Sequence, residues 1–324
     1  MAARRPALDV VKQLIPPLSE KLHKGQAGRV GVVGGSEDYT GAPFFSAISA
    51  MRLGADLGHI FCDVEAATVI KSYSPDLIVH PYMHKSPKSY QKDQNVPSVS
   101  EIVDTISQTF SRLHVLVVGP GLSRDKLMLD TATGIIQKAK EQDMAIVLDA
   151  DGLFLVQNNP DVVKGYAKAV LTPNVVEFKR LCEAMNLKFN EQNNDNMAEE
   201  LSKAFGGKRH AYNISSGYNC LLTKSAVFMC DAVGGLKRVG GQGDILSGAI
   251  ATFLAWGKAY QDKVWEHDSS IAPEDISLYA GWAGCRLVRE CAHLAYEKHG
   301  RAVLTSDMAL EVGEAYRRVF DPGG

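Results

Sequence analysis

Short runs in which nearly every residue is apolar alternate with longer amphipathic segments in the first half of the chain. Such runs are typical of parallel strands that are covered on both faces. The predicted strands are 29–33, 58–62, 77–80, 115–118, 145–148 and 169–171, and the predicted helices are 43–54, 64–72, 130–141 and 175–185. This alternation indicates an α/β fold with three layers, in which helices flank a mostly parallel, doubly wound sheet.

The pattern changes after Leu187. A polar stretch at 190–196 predicts a surface turn, and a helix is predicted at 197–205. Short apolar runs at 212–215, 219–223 and 226–230 predict strands, some of them antiparallel, and the rest is mostly helical, including 273–297. Because no internal repeat and no linker rich in Pro, Gly or Ser is found, we predict an N-terminal extension at 1–18 and a single domain at 19–320.

Composition and charge narrow the class of protein. The 324 residues are 45% hydrophobic and 22% charged, as in ordinary globular proteins. A net charge of −2 gives no reason to expect a nucleic acid or an anionic membrane as partner, and no apolar run is long enough to span a bilayer. The six cysteines lack metal-site or CxxC spacing, so we expect buried free thiols and a cytoplasmic location. Arg4 and Arg5, with no acidic residue before Asp9, resemble the start of a transit peptide, so a mitochondrial fraction of the protein stays open.

The segment Gly240-Gly241-Gln242-Gly243-Asp244 carries the strongest chemical signal. Its three glycines let backbone N–H groups approach one anion, and the helix predicted to follow directs its positive dipole end to the same place. A carboxylate beside a bound phosphate indicates a task, such as taking a proton or holding a metal. The alternative is that Asp244 is an ordinary helix N-cap.

Four polar turns follow predicted strands: Gly34-Gly35-Ser36, Gly119-Pro120-Gly121, Asp149-Ala150-Asp151-Gly152 and Thr172-Pro173-Asn174. The carboxyl ends of parallel strands lie on one edge of a sheet, so we expect these turns to meet in one ligand-binding crevice. Structural explanations stay open: a tight turn at Gly119, and a capping box from Asn174 to Glu177. We favour a functional role for Asp149 and a structural one for Asp151.

Other familiar sites are poorly supported. The sequence lacks the GxGxxG spacing of a dinucleotide loop, the Gly-x-x-x-x-Gly-Lys-Ser/Thr P-loop and the Gly-x-Ser-x-Gly elbow of serine hydrolases. His80 and His84 flank Pro81 and are predicted to lie at the surface.

The order of the motifs resembles that of the ribokinase-like superfamily and, within it, of the ATP-dependent NAD(P)H-hydrate dehydratases. The matching segments are Lys24 to Val30, Gly34 to Pro43, Val118 to Leu122, Leu148 to Gly152, Leu171 to Phe178 and Gly240 to Asp244. The resemblance as a whole covers about residue 20 to 320, nearly the whole chain. The variant Asn174-Val175-Val176-Glu177-Phe178 is similar to the eukaryotic branch.

The resemblance implies a repair lyase that uses ATP and Mg²⁺ to return the S-form of NADH hydrate and NADPH hydrate to NADH and NADPH, with release of ADP and phosphate. It implies that Asp244 is catalytic. The implied hydrate contacts are Ala42, Gly121, Asn174, Val175, Val176, Glu177, Phe178, Lys179, Arg180 and Asp244. The implied ATP contacts are Ser216, Gly217, Gly234, Gly235, Leu236, Lys237, Arg238, Val239, Gly240, Gly241, Gln242 and Gly243. It names no metal ligands, and it leaves a homo-oligomer open.

One departure from the family pattern concerns the nucleotide. Relatives carry a Lys-Gly-x-x-Asp segment upstream of the glycine loop, where this chain has Ser216-Gly217-Tyr218-Asn219-Cys220. The missing lysine favours one alternative to the lyase, a catalytically impaired nucleotide-binding module. The shared chemistry of the glycine loop leaves a second one open, a ribokinase-like kinase of a small molecule such as a vitamin precursor.

Overall fold

The centre of the molecule is a parallel sheet. The computed structural model describes residues 8–20, 22–87, 96–189, 194–206, 211–212, 219–222 and 227–321. The strands of this sheet are β1 (Arg29–Val33), β2 (Leu57–Asp63), β3 (Ile78–Met83), β4 (Val115–Val118), β5 (Ala145–Leu148), β6 (Ala169–Leu171) and β7 (Ala211–Tyr212). They lie in the order β3-β2-β1-β4-β5-β6-β7, and every pair is parallel. The winding direction reverses between β1 and β4, which is where open α/β sheets bind ligands.

Helices cover both faces of the sheet. They are α1 (Leu8–Lys12), α2 (Gly41–Leu53), α3 (Val64–Tyr73), α4 (Val99–Ser107), α5 (Lys126–Glu141), α6 (Asp151–Asn158), α7 (Val175–Ala184), α8 (Asn194–Ala204), α9 (Gln242–Gln261), α10 (Ile276–His299), α11 (Thr305–Leu310) and α12 (Val312–Phe320). Alternate strand residues such as Val32 and Val33 belong to different cores, one with α2, α9 and α10 and the other with α4 to α8. The predicted three-layer fold is confirmed.

Helix α9 connects the core to the carboxyl edge of the sheet, and nearly all of it is buried. It packs closely on α2, because a Cβ on Gly248 would overlap the carbonyl oxygen of Ser46. The hydroxyls of Ser46 and Ser247 are 3.1 Å apart across the same contact. The first turn of α9 is therefore held at a set distance from α2.

The structure differs from the predicted elements in several places. Helix α4 was not predicted, although the capping box of Ser98 and Glu101 opens it. Helix α5 begins four residues earlier than predicted, at Lys126. Strand β7 joins the main sheet, while β8 (Asn219–Leu222) and β9 (Val227–Cys230) form an antiparallel pair. His80, predicted to lie at the surface, is half-buried on the edge strand β3, and its ring stacks on Phe61 with centroids 4.8 Å apart.

The cysteines agree with the predicted thiols. The five whose side chains the structure describes are free and buried: Cys62, Cys182, Cys230, Cys285 and Cys291. Burial raises the pKa of both Cys62 and Cys182 to about 12, so these thiols stay protonated. Within the described part of the chain, none of the helices combines the length and apolarity needed to cross a bilayer.

Candidate active site

A cavity of about 1080 Å³ opens at the carboxyl edge of the sheet. Tyr39, Gly121, Asp149 and Thr172 line it, each from the loop that follows one of the strands β1, β4, β5 and β6. The first turn of α9 forms another part of the wall, and α10 adds Cys285, Val288 and Arg289. The predicted convergence is confirmed for three turns, whereas Gly34-Gly35-Ser36 only leads into the wall formed by Asp38, Tyr39 and Ala42.

The close approach of two loops depends on Gly119. Its φ of 125° lies in the region that favours glycine, and a Cβ there would overlap the carbonyl oxygen of Asp149. The end of β4 can therefore touch the end of β5. This contact places Gly121 and Asp149 on the same cavity wall.

Two carboxylates meet inside the cavity. The buried Asp149 accepts hydrogen bonds at Oδ1 from the Thr172 hydroxyl at 2.8 Å and from the Ala150 amide at 3.0 Å. Its Oδ2 is also buried and has no hydrogen-bond partner among the described residues. Asp244, half-buried in the first turn of α9, lines the same space.

The environment of this pair favours protonation. Burial raises the pKa of Asp149, against the opposing effect of the Thr172 hydrogen bond. The pKa of Asp244 lies well above its usual range, first because of burial and then because of the negative charge of Asp149. A carboxylate in such a place is a stronger proton acceptor than a free aspartate.

The alternative interpretation of Asp244 as an N-cap is wrong. Gly241 occupies the N-cap position with a φ of 93°, and no side chain caps α9. The amides of Gly243 and Asp244 lie in the first helical turn, where no intrahelical acceptor exists. Both residues line the cavity, so the positive end of the α9 dipole is directed at any anion bound there.

Asn174 and Glu177 position the opposite wall. Asn174 Oδ1 accepts from the amides of Val176 at 2.9 Å and Glu177 at 3.0 Å, and Glu177 Oε2 accepts from the Asn174 amide at 2.8 Å. The predicted capping box is confirmed. Both side chains also line the cavity, so capping and a place at the site coexist.

The predicted hydrate contacts divide into residues that line a cavity and residues that do not. Ala42, Gly121, Asn174, Glu177 and Asp244 line the cavity. Arg180 lines a smaller cavity of about 130 Å³ that shares Arg124, Ala150, Asp151 and Glu177 with the first. The other members do not line either space: Val175, Val176, Phe178 and Lys179. Phe178 is fully buried in the core formed with α4 to α8.

The predicted ATP contacts divide in the same way. The residues on the cavity wall are Arg238, Val239, Gly241, Gln242 and Gly243, and those away from it are Gly234, Gly235, Leu236, Lys237 and Gly240. Gly235 packs against α10, where a Cβ would lie 2.5 Å from the Ala292 carbonyl oxygen. Lys237 Nζ donates to the Val303 carbonyl at 2.9 Å, and Gly240 accepts from the Thr305 hydroxyl. Ser216 and Gly217 lie outside the described residues.

Sequence reasoning missed several residues of the wall. They are Asp38, Tyr39, Ser123, Arg124, Leu246, Cys285, Val288 and Arg289. Asp151, which was favoured for a structural role, lines the cavity while accepting from the Ser123 amide at 2.9 Å. Arg124 pairs with Asp151 at 3.4 Å and lies over the Phe154 ring at 4.3 Å. Arg289 of α10 adds a positive charge to the cavity, which Gly241, Gln242 and Gly243 also line.

We expect Asp149→Asn to raise the melting temperature at neutral pH. Because the pKa of Asp149 is raised in the folded state, ionising this carboxyl opposes folding at pH values above that pKa. The amide keeps Oδ1 as an acceptor for Thr172 and Ala150, and it removes the charge. The gain should shrink as the pH falls and disappear once the carboxyl is protonated in both states, below about 3.9.

Thermal melts at neutral and acidic pH test this expectation. The control is Asp130→Asn, since the exposed Asp130 pairs with Lys126, also on the surface of α5. Its melting temperature should stay close to that of the wild type at every pH. If the melting temperature of Asp149→Asn is unchanged or lower at neutral pH, the charge of Asp149 does not destabilise the folded protein.

Comparison with known proteins identifies the family of this chain. The family model described as NAD(P)H-hydrate dehydratase matches residues 30–312. The ATP-dependent (S)-NAD(P)H-hydrate dehydratase of Phaeosphaeria nodorum is 45% identical over 320 residues, which cover 98% of this chain and 96% of the relative. The protein of the same name from Rattus norvegicus is 42% identical over 313 residues, covering 96% of this chain and 84% of the relative.

Solved structures share the fold. The ADP/ATP-dependent NAD(P)H-hydrate dehydratase of Bacillus subtilis, co-crystallised with ATP and Mg²⁺, has a TM-score of 0.68 at 18% identity, with coverage of 98% of this chain and 99% of that one. A hypothetical protein of Streptococcus mutans has a TM-score of 0.73 at 21% identity, with coverage of 98% and 100%. The family match and the relatives together show that this chain belongs to the NAD(P)H-hydrate dehydratase family.

Proposed function

We propose that this protein dehydrates the S-form of NADH hydrate and NADPH hydrate at the expense of ATP, forming NADH or NADPH, ADP and phosphate. The names of the relatives support this activity. The observation that carries the proposal is the position of Asp244, which shares one cavity with the Thr172-Pro173-Asn174 turn and with the glycine loop. One ligand in this cavity could therefore contact the Asp244 carboxylate, the amino end of α9 and the Thr172-Pro173-Asn174 turn.

The chemistry requires a better leaving group than hydroxide. In this proposal Asp244 takes the proton of the C6 hydroxyl as the γ-phosphoryl group of ATP transfers to that oxygen, and ADP leaves. The C6–O bond then breaks with the help of the lone pair on the ring nitrogen. Phosphate departs, and loss of a proton from C5 restores the ring double bond. The first-turn amides of α9 stabilise negative charge on the transferring group.

Mg²⁺ enters the proposal as the ion that accompanies ATP. Within the described ranges, no group of three His, Cys, Asp or Glu side chains could hold a metal alone. Mg²⁺ bound to a nucleotide generally uses one or two carboxylates in addition to phosphate oxygens. The unpaired, buried Oδ2 of Asp149 fits such a ligand, and Asp244 stays available for the proton. When bound, the ion would offset phosphate charge.

The test mixes the purified protein with S-form NADH hydrate, ATP and Mg²⁺. We expect the absorbance of the dihydronicotinamide to recover, with one inorganic phosphate released for each NADH formed. Omission of any component should stop the recovery. A kinase would instead give a phosphorylated organic product, and a binding module would bind ATP with neither change. Either outcome would overturn the proposal.

Arg289 is expected to bind the nucleotide in place of the missing upstream lysine. Arg289 and Arg238 both line the cavity, and the Arg289 side chain packs against Gly234, upstream of the Gly240–Asp244 loop. Removing a charged hydrogen-bonding partner typically costs about 1.5–3 kcal/mol. Arg289→Met should therefore raise the KM for ATP at least about tenfold, with a smaller change in kcat.

Arg286→Met is the matched control on the same helix. Arg286 is also half-buried, and it does not line the cavity. Its KM for ATP should remain within about threefold of the wild type, as is usual for residues outside a binding site. Equal effects of the two substitutions would assign the result to helix stability, and no effect of Arg289→Met would exclude Arg289 from the nucleotide site.

A further inference from the structure

A second cavity of about 590 Å³ lies at the opposite edge of the sheet, where the strands begin. Arg29 starts β1, His114 immediately precedes β4 and Ala145 starts β5, and all three line this amino-edge cavity. The segments that precede β4, β5 and β6, the second half of α9 with Leu254 and Lys258, and the start of α10 form the rest of its wall. The 20 residues of α9 span about 30 Å, so this cavity is well separated from the first turn of that helix.

The floor of the amino-edge cavity is apolar. Its buried members are Phe110, Leu113, Met144, Leu254 and Ile276. The volume lies in the range of cavities that hold small molecules, which are generally apolar with a few directed polar groups. The floor therefore suits a compact hydrocarbon or aromatic body.

The polar group that faces this floor is the pair of Arg29 and His114. Arg29 Nη2 lies 2.8 Å from His114 Nε2. Since a guanidinium can only donate, Nε2 must accept, and the proton of the neutral ring therefore resides on Nδ1. Burial and then the charge of Arg29 lower the pKa of His114 to about 4, so the ring is neutral at physiological pH. His114 thus gives Arg29 no compensating charge.

Both members of the pair retain unused hydrogen-bonding capacity. Arg29 Nε and His114 Nδ1 are buried without a partner, and Arg29 Nη1 also has none among the described residues. No described carboxylate lies within ion-pair distance of Arg29. Buried donors without an acceptor are uncommon in proteins, and each costs about 1–3 kcal/mol. The half-buried guanidinium is therefore the unsatisfied cation of this cavity.

The other charges at the rim balance one another. Lys168 pairs with Asp143 at 2.5 Å, and Lys258 pairs with Asp262 at 2.5 Å. Glu274 adds one more negative charge to the lining. A singly charged anion would match the single positive charge of Arg29, whereas a doubly charged phosphate would exceed that charge in a lining that also carries Glu274.

We propose that the amino-edge cavity binds a small monocarboxylate, with its carboxylate on Arg29 and its apolar body on the floor. A guanidinium recognises a carboxylate through two parallel hydrogen bonds, and partial burial strengthens them. This ligand site is independent of the proposed dehydration chemistry, because no residue lines both cavities.

The experiment uses benzoate as the probe and benzamide as its neutral counterpart of similar shape. Calorimetry on the full chain, with the active cavity saturated by ATP, should show benzoate binding about tenfold or more tightly than benzamide. Arg29→Gln should remove this preference. Lys168→Gln, on the same rim but already paired with Asp143, should keep it within about threefold.

Because Arg29 begins β1, its replacement could prevent folding, and Ala167→Trp provides an independent test. Ala167 is exposed at the mouth of the amino-edge cavity, so a large ring there should block benzoate without disturbing the core. Circular dichroism and dehydratase activity should match the wild type. Equal binding of benzoate and benzamide, unchanged benzoate binding in Ala167→Trp, or competition between benzoate and ATP would each overturn the proposal.

Discussion

Asp244→Asn is expected to lower turnover by about 10²–10⁴-fold while the fold and ATP binding are retained. The amide cannot take a proton from the C6 hydroxyl, yet it has the size of the carboxylate and leaves the first turn of α9 in place. Because the charge of Asp149 and burial both disfavour ionised Asp244, the variant should be at least as stable as the wild type at neutral pH.

Single-turnover recovery of NADH, ATP calorimetry and thermal melts measure the three parts of this expectation. Asp151→Asn is the matched comparison, since Asp151 lines the same cavity but is engaged with the Ser123 amide and Arg124. Its loss of turnover should be far smaller. Near-normal turnover by Asp244→Asn would exclude it as the base, and a lower melting temperature would assign the loss to folding.

The acid limb of the pH–rate profile is the second readout of the carboxylate pair. The profile of kcat/KM should fall at a pH above the ordinary aspartate value of about 3.9, because the pKa of Asp244 is raised. Removing the charge of Asp149 should move this limb to lower pH. A limb that stays in place in Asp149→Asn would show that the two carboxylates do not interact.

The central strands could be predicted from the sequence because they are buried on both faces. The predicted bounds of β1, β4, β5 and β6 agree with the structure. In a strand that is buried on both faces, the apolar run begins and ends where the strand does, so the run marks both ends of the strand. Helix α4 was missed although its capping box is readable at Ser98. The environment of His80 could not be predicted, because its neighbours His59 and Phe61 come from the adjacent strand.

The part of the candidate site that is fixed by the order of the strands could be predicted from the sequence. Strand ends of a parallel sheet share an edge, so Gly121, Asp149 and Asn174 could be assigned to one crevice. Arg289 could not be assigned, because its direction depends on how α10 packs on α9. That packing depends on Gly284, where a Cβ would lie 2.6 Å from Ile250 Cγ1. Gly235, which was predicted to contact ATP, instead packs against α10 at Ala292.

Gly248→Ala is expected to destabilise the protein by about 3 kcal/mol or more. Alanine is favoured over glycine inside a helix by about 1 kcal/mol, so helix propensity alone predicts the opposite sign. The clash decides the outcome, because the new methyl group would overlap the Ser46 carbonyl oxygen, a backbone atom that cannot rotate away. Urea denaturation measures the free energy of unfolding. Gly313→Ala in α12 is the control, since a Cβ there meets nothing within 4 Å.

The same substitution should also impair catalysis in the molecules that remain folded. Helix α2 carries Ala42 and α9 carries Asp244, so separating the two helices moves one wall of the cavity relative to the acid. A displacement of about 1 Å at a reacting group can cost about 10²-fold in rate. We expect kcat of Gly248→Ala to fall at temperatures where the protein is fully folded, whereas Gly313→Ala keeps it. Wild-type stability and kcat in Gly248→Ala would mean that the α2–α9 contact does not position Asp244.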